Sequence, residues 1–353
     1  RRLFDELIPL PDGTTYNSYL IKGSKANVLI DTVEKDFTDK LLENLKEAEV
    51  DSLDYIISNH AEQDHSGSIP EILESFPEAK VITGEKAKDM LQDLLEIEAD
   101  KIEVVSQGEE LDLGDKTLEF IETPWVHWPE TISTYLQEEN ILFSCDFFGS
   151  HLATSDLYVN NEAEVYEAAK RYYAEIMMPF RKVIQGNLKK LDNYDIDIIA
   201  PSHGPIYDEP ELIVDAYKDW VSDKVKPEVV VPFVSMHGST EEMINYFVDQ
   251  LLARDIKVKP FNMTKMDLGD LAISLVDAAA LVIGSPTVLT GPHPSAAYVS
   301  FLGNALRPKT KYASIIGSYG WAGNMVDDIV DMIPKLNVEL LDPVVAQGKA
   351  DQE

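Results

Sequence analysis

A single cysteine, Cys145, occurs in 353 residues. One thiol excludes an internal disulfide, a cysteine-based zinc site and an iron–sulfur cluster held by this chain alone. It fits a reducing compartment, so a cytoplasmic location is expected. Long apolar runs are also missing. No stretch reaches the roughly 18 residues that mark a spanning helix, so no membrane protein is expected. Basic residues are scarce, with 30 Lys and Arg against 63 Asp and Glu, a net charge of −33. Such a chain repels nucleic acid and anionic membranes, and the charge reads as a solvated acidic surface. No signal peptide opens the sequence, which starts Arg1-Arg2-Leu3-Phe4-Asp5 without Met and reads as a fragment start. Apolar residues make up 44%, enough for the cores of two domains.

Histidine is scarce too, at seven residues, which makes its clustering informative. The segment Asn59-His60-Ala61-Glu62-Gln63-Asp64-His65 places two imidazoles and two carboxylates directly after the apolar run Tyr55-Ile56-Ile57. That set suits a pair of transition metals, and the hard oxygen of Glu62 shifts the choice from zinc toward iron. The other histidines, His127, His151, His203, His237 and His293, all fall in turn-rich loops or just after strand-like runs, none on an obvious helix face. Three segments repeat the pattern of a ligand at a strand end: Thr117–Glu122 leads to His127, Ile141–Ser144 to Asp146, and Ile196–Ile199 to His203. A buried carboxylate or imidazole is costly without a partner, and a metal is one such partner. Together these seven side chains suit two metals with one bridging carboxylate.

Two blocks organise the chain. Up to about residue 225, short strands mix with helical segments. Tyr16–Ile21 and Asn27–Asp31 read as a hairpin, and Asp36–Ala48 as a helix. Asp54–Ser58, Lys80–Ile82, Ile102–Val105 and Ser133–Leu136 read as further strands, and Glu162–Ile184 and Glu209–Lys224 as helices. This predicts a layered sandwich. From residue 226 to 353, βαβα alternation predicts a doubly wound parallel sheet. Pro232 inside its first strand counts against that strand, and no clear final helix is found before Glu353.

In the second block, Ser235-Met236-His237-Gly238-Ser239-Thr240 follows a strand and opens a helix, forming an anion site of hydroxyls and amides. No Walker lysine and no Gly-x-Gly-x-x-Gly occurs, which favours a monophosphate. Two further turn-rich loops, Gly284-Ser285-Pro286-Thr287-Val288-Leu289-Thr290-Gly291-Pro292 and Gly317-Ser318-Tyr319-Gly320-Trp321-Ala322-Gly323-Asn324, follow the third and fourth strands of this block. Ligands of such sheets bind outside the carboxyl ends of the strands. His293 reads as a surface residue.

The order His-x-Glu-x-Asp-His, then His, then Asp, then Ser-His-Gly resembles the metallo-β-lactamase-like fold, an αββα sandwich. Glu62 stands where the zinc hydrolases of that fold carry histidine. With a flavodoxin-like block following, the chain resembles the flavodiiron proteins (A-type flavoproteins) over nearly its whole length. The resemblance implies a diiron domain over 1–225 and an FMN domain over 226–353, lacking a C-terminal helix. It implies one iron on His60, Glu62 and His127, a second on Asp64, His65 and His203, and Asp146 between them. His127 is the ligand that some family members keep off the metal. His151 and either Tyr172 or Tyr173 are expected near the irons. Flavodoxin-like FMN binding implies that Ser235, His237, Ser239 and Thr240, with Met236 and Gly238, hold the phosphate. Ser285, Pro286, Thr287, Leu289, Gly291, Ser318, Tyr319, Gly320, Trp321 and Gly323 would enclose the ring. The aromatics Trp125, Trp128, Phe147 and Phe148 are expected to limit water access.

The implied activity is reduction of dioxygen to water, of nitric oxide to nitrous oxide, or both. The implied electron donor is rubredoxin or the reduced deazaflavin coenzyme, and the implied assembly is a head-to-tail homodimer or a dimer of dimers. Two alternatives remain open on the residues alone: a dizinc hydrolase carrying a flavodoxin-like module, and an electron carrier whose first domain is structural.

Overall fold

The computed structural model describes residues 3–4, 8–321 and 323–350. The chain divides into two compact units. One comprises Leu10–Tyr172 and Phe180–Val221; the other comprises Ser222–Glu353 with Arg1–Pro9 and Tyr173–Pro179.

The first unit holds two five-stranded sheets. In one, β1 (Tyr19–Lys22) pairs antiparallel with β2 (Asn27–Ile30), and β3 (Tyr55–Ile57), β4 (Lys80–Gly84) and β5 (Ile102–Val105) add in parallel. Side chains alternate across these strands with period two. Leu29, Ile56 and Val81 face a cluster that includes Leu41 and Leu45 of α1 (Thr38–Glu47) and Leu91 of a helix at Glu85–Leu95. Val28, Ile30, Ile57 and Ile82 face the other way, into a cluster shared with the second sheet. That sheet runs β10-β9-β8-β7-β6, from β6 (Glu110–Asp112) through β7 (Thr117–Glu122), β8 (Ile132–Leu136) and β9 (Ile141–Cys145) to β10 (Ile198–Pro201). It contributes Leu118, Phe120, Ile132, Leu136 and Phe143 to the shared core. Each such fully buried side chain stabilises the sandwich by about 1.5–3 kcal/mol.

Two expectations need correction, and His65 falls in a short helix, Gln63–Ser66, that the sequence did not announce. Four residues are too few for a periodic signal. The helix expected over 162–184 is broken. An α-helix ends at Tyr172, a π turn spans Tyr173–Met177, a 3₁₀ turn spans Met178–Phe180, and a new α-helix runs Arg181–Leu191. The α geometry already ends after Tyr172, and Pro179, which has no N–H, lies in the 3₁₀ turn before the next helix. The helices Ile69–Ser75 and Glu85–Leu95 have no counterpart in the strand-dominated reading of that stretch.

The second unit is a parallel sheet in the order β12-β11-β13-β14, with two short strands after β14. Here β11 is Lys226–Phe233, β12 Lys257–Asn262, β13 Ala278–Val288 and β14 Tyr312–Tyr319. Helices Ser239–Leu252, Leu268–Asp277 and Pro294–Leu306 link them in turn. This 2-1-3-4 order, extended by the last strands, is the flavodoxin-like winding, with its switch point between β11 and β13. Pro232 lies in the interior strand β11, so the sheet forgoes one ladder donor there. Among the described residues, no helix is long and apolar enough to cross a membrane.

Candidate metal centre and cofactor loops

The seven expected ligands emerge where apolar strands end. His60, Glu62, Asp64 and His65 follow β3, His127 lies between β7 and β8, Asp146 follows β9, and His203 follows β10. The sandwich brings all seven together.

Their atoms form two groups. Glu62 Oε2 lies 3.1 Å from His60 Nε2 and 2.9 Å from His127 Nε2. Asp64 Oδ2 lies 3.2 Å from both His65 Nε2 and His203 Nε2. Asp146 divides its oxygens between the groups. Its Oδ2 is 3.5 Å from His60 Nε2 and from His127 Nε2, while its Oδ1 is 3.0 Å from His65 Nε2 and 3.4 Å from His203 Nε2.

Both oxygens of Asp64, both of Asp146 and His65 Nε2 are buried and make no hydrogen bond despite these short separations. Within each group the ligand atoms lie within 4.8 Å of one another. Buried charges are tolerated when paired or metal-bound. Four imidazoles and three carboxylates therefore fit two first-row metals, and the oxygen-rich set favours iron over zinc.

The electrostatics agree. Burial alone would lower the His60 pKa, but hydrogen bonds to Glu130 and Glu62 hold it well above its ordinary value. Burial opposes charge on His203 too, yet Asp146 and Asp64 push it up to about 10. Burial would raise Asp146, and the charge on His65 and its other imidazole neighbours holds it well below the usual carboxylate range. Cations balance these carboxylates, and metals would do so without protons. Cys145 also lies close to His65 and Asp146. Burial, then the charges of Asp31 and Asp146, push its thiol far up, so it stays protonated and a poor ligand.

Of the expected neighbours, His151 and Tyr172 reach the site. Their rings meet at 4.7 Å, and His151 lies 5.2 Å from the His203 ring. Thr14 Oγ1 stands 3.0 Å from His151 Nδ1. Burial, then the charge of Asp146, keep the Tyr172 hydroxyl protonated. Tyr173 is buried and belongs to the other compact unit. Trp128 sets its edge 5.1 Å from His60. Trp125 is 40% exposed and stacks on Phe180, so it is not a shield. Phe147 and Phe148 stack at 3.9 Å and both meet Tyr217.

Two residues that sequence reasoning passed over organise the site. Asp31, at φ +53° after β2, accepts hydrogen bonds from Asn59 and from Ser202 Oγ, steadying the segments of His60 and His203. Glu130, just before β8, accepts His60 Nδ1–H at 2.6 Å. Each is a carboxylate at the edge of an apolar strand, the same signal that singled out Asp146.

In the second unit the loops after β11, β13 and β14 converge. Thr240 Oγ1 is 3.0 Å from Ser318 Oγ, and Asn324 N–H donates to Thr290 O at 2.7 Å. A side chain at Gly323 would strike Thr287, so the two later loops touch there. Ser235 Oγ accepts from Gly238 N–H at 3.1 Å, and Gly238 adopts φ +92° before the helix that starts at Ser239. No side chain caps that helix, so its first amides remain open to an anion. Met236, Leu289 and Trp321 are exposed apolar side chains in these loops, with His237 and Gly320 also exposed. Ser285 and Pro286 are buried, and the Ser285 hydroxyl is committed to Pro286 O and His293 N–H. His293 is not a bare surface residue: it is half-buried, and its ring caps the following helix by accepting from Ser295 N–H.

Residues 14–204 match the family described as ODP family beta lactamase. The chain is 37% identical over 336 residues to a nitric oxide reductase of Moorella thermoacetica, covering 93% of this chain and 84% of that protein. Among solved structures, the rubredoxin oxygen:oxidoreductase of Desulfovibrio gigas aligns with a TM-score of 0.94 at 27% identity, covering 99% of this chain and 89% of that one. A flavodiiron protein of Giardia intestinalis aligns with a TM-score of 0.93 at 28% identity, over 100% and 88% of the two chains.

Proposed function

Because the chain belongs to the flavodiiron protein family, we propose that it is an oxidoreductase that binds two irons and FMN and reduces dioxygen, nitric oxide or both. The observation that carries this reading is the divided carboxylate of Asp146, whose two oxygens face two separate ligand groups. His60, Glu62 and His127 would hold one metal, and Asp64, His65 and His203 the other. Ser235, His237, Ser239, Thr240 and the open helix amides would hold the flavin phosphate. Leu289 and Trp321 would lie along its ring.

When bound, two ferrous ions supply two electrons to a small molecule and FMN replenishes them. Two NO with two electrons and two protons give nitrous oxide and water; dioxygen with four electrons and four protons gives two waters. The chain's own residues set the conditions. Glu62, Asp64 and Asp146 offset the metal charge, Trp128 flanks His60, and Tyr172 holds a proton beside Asp146. Rubredoxin or a reduced deazaflavin is the proposed donor. The name of the Desulfovibrio relative supports the first. A head-to-tail homodimer would place the flavin of one subunit against the irons of its partner.

The rival is a dizinc hydrolase, in which the same residues would hold two zincs that would supply activated water for ester or amide cleavage. Glu62 speaks against it. The test is metal and flavin analysis followed by stopped-flow oxidation of the reduced protein with each gas. Two irons, one FMN and rapid gas consumption are expected. Two zincs without iron would overturn the reading.

A further inference from the structure

Glu130 is buried at 4% exposure and lies two residues before β8. A single oxygen, Oε1, takes both His60 Nδ1–H at 2.6 Å and the Ala61 backbone N–H at 3.1 Å. A carboxylate on Nδ1 fixes a proton there and leaves Nε2, which faces Glu62 and Asp146, as the nitrogen for a metal. Across the site, His203 Nδ1 instead meets a neutral carbonyl, Thr15 O, at 2.6 Å. The two ligand groups thus differ in what supports their imidazoles. A carboxylate partner raises the basicity of a ligating imidazole more than a carbonyl does.

We propose that Glu130 is a positioning residue that commits His60 to ligation through Nε2 and makes the two metal positions inequivalent, the His60 position depending on it and the His203 position not. It also pins the chain at Ala61, between His60 and Glu62, so one carboxylate orients two ligands of the same group. The inference rests on reading His60 as a metal ligand.

Ferrous iron titrated anaerobically into the metal-depleted, FMN-loaded full chain, followed by calorimetry, tests it. Wild type should take up two equivalents. Glu130→Ala should bind one equivalent as wild type does and the other about 10- to 100-fold more weakly. Glu130→Gln keeps an acceptor oxygen but loses the charge, and its weaker equivalent should bind between the alanine variant and wild type. Circular dichroism checks folding, and Glu130→Met, which fills the space without an acceptor, replaces the alanine variant should that one not fold. Wild-type affinity at both positions in the acceptor-less variant overturns the proposal, and so does a glutamine variant as weak as it. If wild type itself takes up no second equivalent, the metal-site reading fails and the inference falls with it.

Discussion

Asp31 accepts two hydrogen bonds from Asn59, one from the backbone N–H at 2.8 Å and one from Nδ2 at 3.0 Å. Both residues are buried. Removing the acceptor leaves two buried donors unsatisfied beside His60. We predict that Asp31→Ala lowers the stability of the metal-free chain by about 3 kcal/mol, read by urea denaturation. A loss below about 1 kcal/mol would show that water or another side chain replaces the carboxylate.

Among the described residues, Asp146 is the one carboxylate whose two oxygens face both ligand groups. Asp146→Asn keeps the shape but loses the charge and one acceptor. Metal content should fall to one equivalent or less per chain, and gas consumption should drop at least about 100-fold. FMN content should stay at the wild-type level. Metal analysis with flavin absorbance reads both, and a variant with full metal and normal turnover would rule out bridging.

Thr240 is buried at the start of its helix, with its hydroxyl on Ser318. Thr240→Val removes that hydroxyl without changing the volume much. If it also serves the flavin phosphate, FMN affinity should fall by about tenfold or more, the worth of a hydrogen bond to a charged group. Iron content should not change. Fluorescence titration of the flavin-free chain measures it, and unchanged affinity would move the phosphate elsewhere.

Glu228, the third residue of β11, meets Lys257 at 2.9 Å and Lys259 at 3.2 Å. Burial would raise its pKa, but the two lysines hold it below the ordinary carboxylate value. A depressed folded pKa gives stability that is present above the unfolded value near 4.3 and lost as pH falls through the folded one. Because Lys257 is well exposed, the contribution is about 1 kcal/mol at most. Glu228→Gln should therefore be less stable than wild type at pH 7, with the gap closing below about pH 4. A gap independent of pH would point to packing instead.

Much of the metal site was legible because its ligands share one local pattern, a polar side chain at the end of an apolar run. His60, Asp146 and His203 all show it. Asp31 shows it too, while Glu130 stands ahead of its strand; carboxylates have many innocent uses in so acidic a chain, and only the contacts to Asn59 and His60 set these two apart. The choice between Tyr172 and Tyr173 was closed to sequence reasoning because the helix leaves α geometry between them. In the second unit the strand order followed from βαβα alternation. The internal use of the Ser285 hydroxyl did not, since a loop serine looks the same whether it faces a ligand or its own backbone.

The ligands are drawn from both sheets of the sandwich, the first at His60 and the last at His203. No fragment ending before His203 contains the full set, and no half of the sandwich does. Metal uptake by this set would thus be a late event in the life of the chain. It would report that the two sheets have already closed on each other, and a chain stalled or cut within the first unit would hold loose histidines and carboxylates but no place to do chemistry.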